Sequence, residues 1–92
     1  MGRLERKLLR IVDRQAALRE SERLVAEELS IHRHLDDDAR RDAAVSESPL
    51  DRADARETAA DVRRFEDHLA RLQAEQQRLE ARRRKLVARL RD

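Results

Sequence analysis

Two residue types that interrupt helices occur once each in this chain, and their places decide what it can fold into. Gly2 is the only glycine and Pro49 the only proline. Proline is tolerated in the first turn of a helix, where no intrahelical donor is needed, and disfavoured inside one. Ser48 stands ready to cap that first turn. Asp51 follows three residues on, where a carboxylate favours the exposed amides. The break falls near the middle of 92 residues. The expectation is a first helix over about 2–45, a turn over 46–48 and a second helix over about 49–91.

Hydrophobic spacing supports both arms. In the second, Val62, Phe65, Leu69, Leu72, Gln76, Leu79, Arg83, Leu86 and Leu90 alternate steps of three and four. That is a heptad seam with polar interruptions at Gln76 and Arg83. The first arm carries Leu4, Leu8, Ile11, Gln15, Leu18, Glu22, Val25, Leu29, His32, Asp36, Ala39 and Ala43 in the same rhythm. Folding at the turn brings the seams together, so the fold class expected is all-α, an antiparallel two-helix coiled-coil hairpin. Leu8 and Ile11 then meet Leu86 and Leu90, and Leu29 and His32 approach Phe65 and Leu69. Gln15, Glu22, Gln76 and Arg83 fall in one stretch, where they fix register at a cost in stability. Registers whose turn centres differ by a residue or two fit this pattern equally.

Composition narrows the class. Charged residues make up 46% of the chain and aromatics 1%, Phe65 being the sole aromatic. Too few large apolar side chains exist to offset the chain entropy of a compact globule. Abundant Ala, Arg, Glu and Leu favour helix over disorder. The absence of cysteine excludes disulfides, thiolate zinc sites and cysteine nucleophiles. No long apolar run follows Met1, so neither a signal peptide nor a membrane span is expected, and the expected location is cytoplasmic.

The first helix has more apolar surface than one partner covers. Leu24, Ile31 and Leu35 form a second short stripe beside Val25 and Leu29. A two-helix hairpin also buries little area per residue. Together these predict homo-oligomerisation, most simply a dimer forming a four-helix bundle, or a protein partner on this stripe. Long Arg and Glu stems covering the stripe are the alternative.

A formal net charge of +2 hides a gradient. Residues 36–61 hold nine acidic side chains against four basic ones, a net of −5, so the rest of the chain carries +7. Much of that excess lies at the far end, in Arg82, Arg83, Arg84, Lys85, Arg89 and Arg91, with Arg3, Arg6, Lys7 and Arg10 alongside. The basic end suits an acidic or nucleic-acid surface, since Lys and Arg neutralise phosphates without reading sequence. No aromatics interleave with it to stack bases. Its candidate contact residues are Arg82, Arg84, Lys85 and Arg89.

Catalytic chemistry finds little support. His32 and His34 are two apart and face different sides of a helix, so they do not chelate as an i, i+4 pair. Consecutive Asp36, Asp37 and Asp38 fan around the axis and make no preorganised oxygen cage. No nucleophile–base pair, phosphate loop or cofactor fingerprint is present, and so thin a hairpin lacks a water-excluding pocket. The chain is expected to be no enzyme, with no metal and no cofactor.

The turn Ser48-Pro49-Leu50-Asp51-Arg52-Ala53, followed by a long charged helix, resembles the coiled-coil tip of the DksA/TraR family. Those bacterial proteins insert an antiparallel hairpin into the secondary channel of RNA polymerase. Their tip pattern is Asp-x-x-Asp-x-Ala. Asp51 stands at the second Asp, Ala53 at the Ala, and Ser48 replaces the first Asp. The resemblance covers about residues 30–80 and lacks the family's cysteine-bound zinc domain. It implies a transcription regulator contacting RNA polymerase through an acidic tip of Asp51, Ala53 and Asp54. The functional expectation is therefore a non-enzymatic coiled-coil interaction module, with RNA polymerase as the partner the resemblance names. An assembly coiled coil acting through homo-oligomerisation is the alternative, and a basic nucleic-acid- or ribosome-associated factor a weaker one.

Overall fold

A computed structural model describes residues 2–92. Among them are two helices, α1 over Arg3–Ser46 and α2 over Pro49–Arg91, with no strand. The fold is an all-α helical hairpin. Among the described residues no helix is long and apolar enough to cross a membrane.

The helix ends follow from local chemistry. At the start of α1 the Gly2 amide donates to Glu5 Oε2 at 3.0 Å, the reaching-back half of a capping box. At its end the Glu47 amide donates to the Ala43 carbonyl at 3.2 Å, and Glu47 itself adopts φ 54°, the left-handed conformation that stops a helix. Ser48 then caps α2. Its hydroxyl accepts the Leu50 amide at 3.2 Å, and its carbonyl accepts the Arg52 amide at 3.0 Å. Pro49, lacking an amide hydrogen, occupies the first helical position.

The chain divides into two compact units. One comprises Met1–Arg23 with Ala70–Asp92, the other Leu24–Leu69, which contains the turn. In the first unit the buried apolar residues are Ile11, Leu18 and Leu86. A polar layer lies among them. Gln76 Nε2 donates to the Gln15 backbone carbonyl at 3.0 Å and to Glu22 Oε2 at 3.4 Å. The buried Gln15 side chain donates to Glu80 Oε2 at 3.1 Å and accepts from Arg83 at 3.5 Å. The four polar seam residues Gln15, Glu22, Gln76 and Arg83 therefore meet, and a hydrogen-bonded layer of this kind opposes sliding of one helix along the other. On the surface beside it Arg14 grips Glu75 bidentately, at 3.0 and 3.2 Å.

In the turn-containing unit Val25, Leu29 and Val62 are buried. The His32 ring stacks on Phe65 with centroids 4.5 Å apart and planes 21° from parallel. Asp36 is a buried carboxylate, and both its oxygens are used. One lies 3.0 Å from the Thr58 hydroxyl, and the other meets Arg40 at 3.2 Å. Burying this charge is tolerable only because it is so partnered.

Candidate interaction surfaces

Three surface features carry recognition chemistry. The first is an apolar face on α1. Leu24, Ile31 and Leu35 remain 49%, 54% and 50% exposed, while Val25 and Leu29 beside them are buried. The steps 24, 28, 31 and 35 repeat the four–three–four rhythm of a seam, with Glu28 as the polar member. One residue of offset in a 3.6-residue helix separates this face from the intramolecular seam by about 100°. α1 therefore carries two seams in this unit, and the chain itself closes one of them.

The second feature is the turn. Asp51 is half-buried, and its carboxylate accepts a short hydrogen bond from the Ser46 hydroxyl. That hydroxyl in turn accepts the Ser48 amide at 3.3 Å. The relay does indirectly what a capping-box carboxylate does directly: it satisfies the amide of the capping residue. Arg52 folds back on the Glu47 carbonyl at 2.8 Å. Ala53 and Asp54 are exposed. Of the three tip residues, then, Asp51 serves the turn and two face outward. Ser46, which engages the carboxylate, carries no motif that would have singled it out in sequence.

The third is basic. Fifteen basic side chains against seven acidic ones give the unit holding both chain ends a net charge of +8, and the turn-containing unit carries −6. Lys7, Arg10, Ile11, Arg14, Leu79 and Arg82 line a shallow groove of about 280 Å³. A neighbouring groove of about 250 Å³ shares Lys7 and Arg82 and adds Lys85, Leu86 and Arg89. Among the described residues, Lys7, Arg10, Arg82, Lys85 and Arg89 form no ion pair. Of the four basic-end candidates, Arg82, Lys85 and Arg89 gather in this groove. Arg84 does not; it pairs with Glu80 at 3.6 Å.

Electrostatics outside these features are those of exposed helix faces. The hydrogen bonds and charge of Arg14 hold the Glu75 carboxyl below its usual range, and the same bonds raise Arg14. Arg23 lowers Glu20 in the same way. Among the described residues no three His, Asp or Glu side chains converge to hold a metal ion. His34 and His68 are exposed, and His32 is taken up by Phe65, with Glu28 4.0 Å from its Nε2.

Compared with protein-family models, with curated proteins and with solved structures, the chain matches none.

Proposed function

We propose that this chain is a non-enzymatic helical-hairpin interaction module that associates through the Leu24, Ile31 and Leu35 face of α1. One observation carries the reading: three large apolar side chains at seam spacing stand half-exposed beside a seam the chain has already closed. Surface area points the same way. A compact monomer of 10.8 kDa exposes about 5,500 Å². This chain exposes 6910 Å². The surplus exceeds the roughly 800 Å² that each partner contributes to a standard interface. Sedimentation velocity of the wild type against the Leu24→Glu/Ile31→Glu variant tests the reading. The wild type should associate at tens of micromolar, about the range of a micromolar-affinity dimer, and the variant should stay monomeric. A wild type that is monomeric there refutes it.

A regulator acting at the polymerase secondary channel would use the tip instead. Its key carboxylate, Asp51, is already held by Ser46, which leaves Asp54 as the outward acid. The apolar face therefore supports the assembly reading better. The basic grooves favour a second reading of their own, an anionic surface bound at the chain-end unit. Duplex DNA titrated at two salt concentrations checks it: binding should weaken steeply with salt, and Lys85→Glu should weaken it further.

A further inference from the structure

We infer that the occupant of the α1 face is a second copy of this chain, docked antiparallel, with Leu24 of each copy against Leu35 of the other. The inference rests on the assembly reading above and adds the partner and its register.

The seam positions 24, 28, 31 and 35 pair in two ways. Parallel pairing sets like against like, and Glu28 then faces Glu28 of the second copy inside an apolar seam, where two carboxylates repel with little solvent between them. Antiparallel pairing about a two-fold axis between residues 29 and 30 removes that contact. Leu24 meets the second copy's Leu35, and Glu28 meets its Ile31. The stem of Glu28 can lie along the isoleucine while its carboxylate stays toward His32, 4.0 Å away in its own chain.

The flank of the stripe supplies a matching donor and acceptor. One side of it is the chain's own seam at Val25 and His32. The other side carries Glu27 and His34, both exposed and seven residues apart. In a parallel pair these flank positions face the second copy's own closed seam. In the antiparallel pair Glu27 lies between the layers at 24 and 28, opposite the layers at 31 and 35, and that interval holds His34 of the second copy. By symmetry the contact occurs twice. A histidine N–H donates to a carboxylate in this arrangement, so the polar rim matches where the apolar centre matches.

The absence of cysteine makes the register directly testable. Leu24→Cys and Leu35→Cys, each an exposed position, are prepared singly and mixed under mild oxidation. The antiparallel register predicts disulfide-linked heterodimers in the mixture and little crosslinking by either variant alone. Positions 24 and 24 of the two copies are then eleven residues, about 16 Å, apart along the axis, well beyond disulfide reach. Efficient crosslinking of each variant with itself overturns the proposal in favour of parallel pairing. A wild type that sediments as a dimer while neither the mixture nor the single variants crosslink overturns the register and leaves the assembly reading standing. A monomeric wild type overturns both. Charge exchange gives an independent check. Glu27→Lys should raise the dimer dissociation constant about tenfold, and Glu27→Lys/His34→Glu should restore it to within about threefold. No recovery in the double variant counts against the Glu27–His34 contact.

Discussion

Leu18 and Leu24 are the same residue type on one helix, six positions apart, yet they stand 1% and 49% exposed. Replacing each by alanine separates what holds the hairpin together from what its surface offers. Leu18 is the most completely buried side chain, so Leu18→Ala loses both transfer energy and packing, about 2–5 kcal/mol. Leu24→Ala removes a side chain already half in water. Full burial of a leucine is worth about 1.5–3 kcal/mol, so its cost to the lone hairpin is about 1 kcal/mol or less. Alanine's slightly better helix propensity offsets part of that. Against a total stability of roughly 5–14 kcal/mol for a chain this long, only the first loss is severe. Urea unfolding followed by helix circular dichroism reads the difference. With a slope of about 1.5 kcal/mol/M, a 3 kcal/mol loss moves the midpoint by about 2 M. The measurement belongs at sub-micromolar protein, where association adds no stability of its own. If the two substitutions lower the midpoint equally, or Leu24→Ala lowers it more, the division of α1 into a closed seam and an open face is wrong.

Glu47 pays for its φ of 54° as a residue with a Cβ, so Glu47→Gly should stabilise the hairpin by about 1 kcal/mol, read as a raised urea midpoint. Thr58→Val keeps the shape but takes the hydroxyl from the buried Asp36 carboxylate. It should cost about 1.5–3 kcal/mol, and Asp36→Leu/Thr58→Val should recover much of that if the polar pair serves specificity more than stability. The Glu75 carboxyl is lowered from its usual value of 4.5, chiefly by hydrogen bonds from Arg14. Its contribution is therefore present above about that pH and lost as pH falls through the lowered value, and Glu75→Gln should flatten the acid limb of a Tm-against-pH curve below pH 4.5. The pair is exposed, so the effect should be small and should shrink in high salt.

The helical hairpin was legible because its determinants are local. A lone proline in mid-chain and heptad spacing on both sides leave little freedom, and the interrupted seam marked the meeting of Gln15, Glu22, Gln76 and Arg83. What escaped was contact between residues far apart in sequence with no periodic signature. The seam of α2 as read from leucines began at Val62, so Thr58, a small polar residue one turn earlier, gave no sign that it would satisfy Asp36. Glu80 and Glu75 sit in an Arg/Glu-rich run where many pairings are equally good on paper, and only the register selects Gln15 and Arg14 as their partners. At the tip one residue fits two roles. A carboxylate three residues after a capping serine satisfies a recognition motif and a helix start alike, and in the fold Asp51 is drawn back to Ser46. Sequence spacing alone marked Leu24, Ile31 and Leu35 as a second stripe, because a helix cannot present adjacent positions to the same partner.

The chain has two isoleucines, and they report separately on the two faces of α1. Ile11 is 5% exposed and Ile31 54%. A sample labelled only at isoleucine δ1-methyls gives two signals, which can be followed by NMR from micromolar to millimolar protein in the presence of a soluble paramagnetic agent. Ile11 should stay protected throughout. Ile31 should be strongly relaxed when dilute, then shift and become protected as the concentration rises. An Ile31 signal that is unshifted and equally relaxed at every concentration would contradict the claim that this face receives a second copy.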